Sequence, residues 1–118
     1  MPRLMSVTLT EQAVVERRKT VTRRLGWTFL KPGDRLTLCR KVMGRRRKDG
    51  TVEPLERLAE VEVVDVRRQR LCDFDVEDID REGVPGYRTK QSWVWWFCET
   101  MGVGPLDEIT RIEWRYLS

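Results

Sequence analysis

The sequence contains no histidine. That removes the commonest general base and every histidine-dependent triad, so any catalysis rests on Lys, Thr, Ser, Cys or a carboxylate. A zinc site would fall to cysteines and carboxylates alone, and the three cysteines, Cys39, Cys72 and Cys98, lie far apart with no C-x-x-C pair. Being odd in number, they frame no disulfide scaffold and read as buried free thiols. No metal and no other cofactor is expected. No apolar run approaches the roughly 18 residues of a membrane span. The opening Met1-Pro2-Arg3-Leu4-Met5 lacks the longer apolar region of a signal peptide. The expectation is a cytoplasmic protein with no membrane partner, and a monomer by default.

What is present is enough for one core. The 118 residues, 40% of them hydrophobic, fit a single domain spanning 1–118 and exclude global disorder. The net charge of +4 conceals a strong asymmetry. Between Arg17 and Lys48 stand thirteen basic residues and one acid, Asp34, a local charge of +12, while the rest of the chain carries −8. Such a one-sided segment sets up a positive surface field unless the fold threads acids between its charges, and it points to a polyanionic partner.

Periodicity and turn chemistry give the element order. Met5 to Leu9 alternates apolar and polar residues, as a half-buried strand does. Thr10 is placed to cap a short helix from Glu11 to about Arg17. After an irregular stretch, Lys31-Pro32-Gly33-Asp34 is a type II turn signal, with proline presetting its first central residue and glycine supplying the positive φ of the second. A strand from Arg35 to Val42 and a hairpin turn at Asp49-Gly50 follow. The next strand runs from Leu58 to Arg67, where a parity change at Val63-Val64 calls for a β-bulge. Asp75 is a cap for a helix through Glu82, stopped by Gly83 and Pro85. A helix from Ser92 to Met101 puts Trp93, Trp96, Phe97 and Met101 on one face, read as core, with Trp95 off it, placed either to stack on a base or, the preferred reading, to pack on a second side. In the last strand, Ile109 to Leu117, Ile112, Trp114 and Tyr116 oppose Arg111, Glu113 and Arg115. Strands joined by turns and bulges predict an α+β fold, a small barrel and not a doubly wound sheet.

This order, together with Arg17-Arg18-Lys19-Thr20-Val21-Thr22-Arg23-Arg24 and the Lys31-Pro32-Gly33-Asp34 turn, resembles the ASCH family of PUA-like barrels. The family motif is a glycine, any residue, lysine, two residues, an acidic or hydroxyl residue, one more, then arginine. Lys19, Thr22 and Arg24 fit it, while Arg17 stands where the family has glycine. The ending, a Trp/Phe-rich helix, an acidic loop and Thr110-Arg111-Ile112-Glu113-Trp114, looks like small stand-alone ASCH proteins of actinobacteria and their phages. The resemblance implies a PUA-like β-barrel of five or six strands with two or three flanking helices. It implies binding of RNA, a nucleotide or a modified nucleoside in a cleft around Lys19, Thr22 and Arg24. One branch of the family consists of amidohydrolases that deacetylate N4-acetylcytidine, which implies Thr22 as nucleophile, Lys19 as base and Glu82 as the third member.

Each of these residues has a plainer reading. Lys19 is equally a solvated or phosphate-contacting cation, Thr22 a strand residue, Glu82 a last-turn surface residue, and Arg24 an ion-pair partner. Arg17, Arg18, Arg23 and Arg24 extend the nucleic-acid surface, and Arg45, Arg46, Arg47 and Lys48 form either a solvated hairpin tip or a further contact. Lys19 and Thr22 converge only if a turn or helix end separates them, because residues three apart in a strand face opposite ways. A basic Lys19 also requires its pKa to fall from about 10.4 towards neutrality. A ribonuclease or a protein-interaction module ranks below these two readings.

Overall fold

The computed structural model describes residues 2–40 and 56–117. The expected turn at Asp49-Gly50 lies outside the described residues. Along the chain run β1 (Arg3–Ser6), a 3₁₀ turn (Thr8–Thr10), α1 (Glu11–Val15), β2 (Val21–Arg24), β3 (Arg35–Cys39) and β4 (Arg57–Arg70). A second 3₁₀ turn (Leu71–Asp73), α2 (Asp78–Glu82), α3 (Lys90–Met101) and β5 (Glu108–Tyr116) complete it. The strands form one sheet in the order β1-β3-β4-β5-β2, parallel between β1 and β3 and antiparallel elsewhere. It curls into a half-barrel with three helices, an α+β fold of the small PUA-like kind.

Local chemistry explains the curl. The turn at Lys31–Asp34 forms as its residues dictate, with Gly33 at φ 96° and Asp34 N–H donating to the Lys31 carbonyl at 3.1 Å. It docks on β4, where Gly33 N donates to Val63 O and Val63 N to Asp34 O, both at 2.8 Å. The β4–β5 register shifts between Val63 and Asp65, so the bulge falls where the parity change placed it and bends the longest strand. Inside the curve Met5, Leu36, Leu38, Val61, Val63, Ile112 and Trp114 pack with Val14 of α1. On the other face Leu71, Phe74, Ile79, Trp93, Phe97 and Ile109 join α2 and α3 to the sheet. α3 begins with a reciprocal Thr89–Ser92 capping box, and α2 and α3 end at Gly83 and Gly102, both left-handed.

Several elements depart from the expectations. β1 ends at Ser6, and the chain then tightens into a 3₁₀ turn in which Thr10 Oγ1 donates back to Val7 O at 3.5 Å and caps nothing. α1 stops at Val15. α2 starts at Asp78, with the Asp75 carbonyl accepting from Asp78 N at 2.9 Å in the turn before it. Trp95 is 60% exposed and packs on no second side. Cys39 is buried, and Cys72 and Cys98 are half-buried.

The stop after α1 is made by an arginine. Arg17 sits at φ 61°, the conformation that suits glycine, and lets Arg18 N and Lys19 N both reach the Ala13 carbonyl, at 2.8 and 3.2 Å. A side chain in this region costs about 1–2 kcal/mol, offset in part by the Arg17 guanidinium lying 5.2 Å from the centre of the Tyr116 ring. Arg17→Gly therefore stays within about 1 kcal/mol of the parent protein in urea unfolding. Arg17→Val, branched at Cβ, loses about 1–2 kcal/mol or more.

Candidate functional site

The site begins with the register of β2. Arg23 lies opposite Arg111, and Val21 opposite Glu113, so two arginines share the sheet face that α2 covers. Like charges paired across strands repel, and here α2 supplies the carboxylates between them. Arg111 grips Asp78 with two prongs, Nε to Oδ2 at 2.7 Å and Nη2 to Oδ1 at 3.1 Å, and also reaches Glu113 at 3.2 Å and Asp65 at 3.4 Å. Arg23 donates to Asp78 Oδ2 at 2.7 Å, to Glu82 Oε2 at 2.8 Å and to Gln69 Oε1 at 3.0 and 3.1 Å, its guanidinium 4.2 Å from the centre of the Phe74 ring. Burial pushes the Asp78 carboxyl up, but the hydrogen bonds from Arg111 and Arg23 outweigh it and hold it below the usual carboxylate range. The same contact raises Arg111 against the pull of burial.

Lys19 joins this network from the link between α1 and β2. The side chain is 2% exposed, and its ammonium donates to the Glu82 carbonyl oxygen at 2.7 Å and to Glu82 Oε1 at 3.3 Å. Burial pushes its pKa down from 10.5 to about 8; Glu82 pulls it back up, and the charges of Arg24 and Arg23 press it down again. The backbone here is pinned on both sides. The Lys19 carbonyl accepts from Trp114 Nε1 at 3.0 Å and Tyr116 OH at 2.5 Å, Thr20 N donates to Arg81 O at 2.9 Å, and Thr20 O accepts from Trp114 N at 2.9 Å. The helix end and the left-handed residue Arg17 precede Lys19, and β2 begins two residues after it at Val21.

Thr22 and Arg24 lie on the opposite face of β2 from Arg23, across from Ile112 and Thr110. Arg24 Nε donates to Thr22 Oγ1 at 3.2 Å and Nη2 to the Ser6 carbonyl at 2.8 Å, tying the end of β2 to the end of β1. Burial lowers the Arg24 pKa, with Glu82 opposing. Because β2 is an edge strand, residues from both its faces reach one cavity of about 180 Å³. Lys19, Thr22, Arg24 and Glu82 line it, with Trp93 and Trp96 of α3 forming an aromatic wall. Leu9 and Met101, both exposed, also line it. This volume is below the roughly 300–1,000 Å³ of drug-sized ligand pockets, so it suits one ring system.

Of the residues named from the sequence, Lys19, Thr22, Arg23, Arg24 and Glu82 come together here. Glu82 is no surface residue: it is 2% exposed and bridges Lys19 and Arg23. Among the described residues no hydrogen bond joins Lys19 to Thr22. Arg18 is exposed, paired with Glu16 at 2.6 Å, and lines a neighbouring cavity of about 320 Å³. Arg17 rests on Tyr116. Arg45, Arg46, Arg47 and Lys48 lie outside the described residues. Sequence reasoning missed Asp78, placed Arg111 only on the charged face of the last strand without a role, and assigned Trp93 and Trp96 to the core alone. Trp93 Nε1 is buried with no hydrogen-bond partner among the described residues. Among those residues no group of three or more Cys, Asp or Glu is placed to hold a metal ion, and no helix is long and apolar enough to cross a membrane.

Known structures share this architecture over nearly the whole of this chain. An ASCH domain from Lactobacillus crispatus JV V101 superposes with a TM-score of 0.60 at 10% identity, over 97% of this chain and 79% of that one. The chain has the ASCH fold. Protein EF3133 from Enterococcus faecalis V583, of the DUF984 family, matches with a TM-score of 0.68 at 15% identity, over 99% of this chain and 77% of its own. The hypothetical protein PH0355 matches at 0.64 and 14% identity, over 99% and 100%. No family model matches the sequence, and no curated protein matches it significantly.

Two expectations test this geometry. Asp78→Ala leaves Arg23 and Arg111 buried without their shared carboxylate and destabilises the fold by about 3–5 kcal/mol in urea unfolding. In protein labelled with ¹³C-lysine, one lysine Cε resonance titrates near 8, and it is missing in Lys19→Met.

Proposed function

We propose that the protein binds RNA or a modified nucleoside, taking one base into the cavity around Lys19, Thr22 and Arg24. The observation that carries this reading is a ring-sized cavity walled by Trp93 and Trp96 whose floor has more positive than negative charge. Asp78, Glu113 and Asp65 serve Arg111, and Asp78 and Gln69 serve Arg23. Among the described residues Glu82 is the one carboxylate that acts on Lys19 and Arg24, and it is shared with Arg23, while Arg24 donates its hydrogen bonds to neutral oxygens of Thr22 and Ser6. A carbonyl-bearing base offers acceptors to these donors and a flat face to the indoles, and the phosphates that flank it answer the basic segment.

One observation favours a second reading, deacetylation of an N4-acetylcytidine-like nucleoside. With a pKa of about 8, roughly one Lys19 in ten is neutral at pH 7, against about one in 2,500 for an ordinary lysine. Thr22 Oγ, its lone pair held by Arg24, attacks the acetyl carbonyl while Lys19 takes its proton and passes it to the departing amine, and water then frees the acyl-threonine.

Incubation with N4-acetylcytidine, read by mass spectrometry, and titration with fluorescent single-stranded RNA separate the readings. Binding of the RNA falls a hundred- to a thousandfold between 50 and 200 mM salt if about six phosphates are held, and Arg24→Met weakens it at least tenfold. Affinity indifferent to salt and to Arg24 sinks the binding reading. If cytidine appears, its rate climbs with pH through about 8 and vanishes in Thr22→Ala and Lys19→Ala; turnover that persists in both removes them from the chemistry.

A further inference from the structure

A second cavity, of about 450 Å³, opens at the far end of β1 from the Lys19 site. Its wall carries three cations, Arg3, Lys31 and Arg35, and one acid, Asp34. Asp34 is already committed, accepting from Lys31 N at 3.0 Å and from Lys31 Nζ at 3.2 Å. Among the described residues neither Arg3 nor Arg35 has an ion-pair partner. Glu62, across from Arg35 on β4, is paired with Arg115 at 3.1 Å. Asp34 also feels the charge of Arg3, but one acid against three cations leaves the surface with a net positive charge.

The same wall is aromatic. Phe29 is 53% exposed, and the Arg3 guanidinium lies 4.3 Å from the centre of its ring. Trp27 stands behind it, ring centres 5.5 Å apart, and holds φ 64°, a conformation that few non-glycine residues adopt. Trp27, half-buried, packs towards the core while Phe29 faces out, so this bend in the backbone presents one aromatic ring to solvent and turns the other inward. An exposed phenyl ring with a guanidinium against it is a flat cationic platform, and flat cationic platforms stack nucleobases.

The two cavities share a strand. Arg3 lines one and Ser6 the other, at opposite ends of β1. Three residue steps of about 3.3 Å separate them by roughly 10 Å, which is about three steps of a stacked nucleic-acid strand at 3.4 Å each. We propose that Arg3, Phe29 and Arg35 form a second subsite, which stacks one base of a single-stranded RNA and holds its adjoining phosphates while a base a few steps along enters the Lys19 cavity. The subsite rests on the binding reading for its ligand class and adds the direction of the strand, along the β1 edge.

The test compares hexacytidylate with free cytidine, by fluorescence anisotropy for the first and calorimetry for the second, at 100 mM salt. Phe29 and Arg35 lie on the surface, so Phe29→Ala and Arg35→Glu should keep the parent circular-dichroism spectrum. The expected result is that each weakens hexacytidylate about tenfold or more, leaves cytidine within twofold, and that Phe29→Trp restores binding. Hexacytidylate affinity unchanged in both variants but lost in Arg24→Met overturns the subsite and leaves the cavity reading standing. Loss in Phe29→Ala without loss in Arg24→Met supports the subsite and counts against the cavity. Sensitivity to Arg35→Glu with none to Phe29→Ala overturns stacking and leaves charge attraction alone, as an acidic peptide would also feel. Hexacytidylate binding no tighter than cytidine, or no binding of either, overturns the subsite as well.

Discussion

Everything at the candidate site depends on two carboxylates of α2 lying between the basic side chains of the sheet. Removing Asp78, Glu82, Arg23, Arg111 and Lys19 from water carries a large desolvation cost, which is recovered only through close, multiply hydrogen-bonded geometry. The geometry here is of that kind: a two-pronged Arg111–Asp78 contact and an Arg23 that distributes its donors over Asp78, Glu82 and Gln69. A five-residue helix has little stability of its own. α2 is held by these contacts, by Ile79, and by the close approach of Gly83, where a Cβ would stand 2.5 Å from that of Ala13. Its position in turn sets that of the Glu82 carbonyl and carboxylate, hence the depth and pKa of Lys19.

The second constraint is that the sheet stops short of closing. Where a full barrel would have a ladder between β1 and β2, this one has Arg24 reaching the Ser6 carbonyl. The cavity occupies the gap. That arrangement accounts for its mixed lining: the gap is bounded by backbone and hydroxyls of the Ser6–Thr10 segment on one side, by the charged residues of β2 on another, and by the aromatic rings of α3 across from them. It also gives Arg24 a structural task that a simple charged-surface reading omits.

The sequence made some of this legible and hid the rest for physical reasons. Features written in local chemistry were readable: the Pro-Gly turn, the parity break at Val63-Val64, the glycine stops at Gly83 and Gly102, the apolar face of α3. β2 was not, because Val21-Thr22-Arg23-Arg24 carries no apolar alternation; it is a strand through its pairing with β5 and through the partners that α2 supplies for Arg23. The same lack hid Arg111: alternation identifies two faces of β5, but not that an acidic helix covers the charged one. Lys19, Thr22 and Glu82 were named through a resemblance, and the cavity they share opens at the edge of β2, which their spacing alone does not reveal. That Glu82 is buried against Lys19 followed from tertiary packing alone, as did the exposure of Trp95.

The order of synthesis gives the pinned backbone at Lys19 another meaning. β2 emerges early, yet its one partner in the sheet is β5, and the carbonyl of Lys19 is held by Trp114 and Tyr116, 95 and 97 residues further on. A growing chain can pair β1 with β3 and β3 with β4 while residues 17–24 wait, their arginines without carboxylates and their edge without a neighbour. Contacts of such long sequence separation form late and slowly. The cavity is thus completed only once β5 has been made, and a chain that ends before β5 can form neither the β4–β5 nor the β2–β5 ladder and lacks the side chains that hold the Lys19 carbonyl in place.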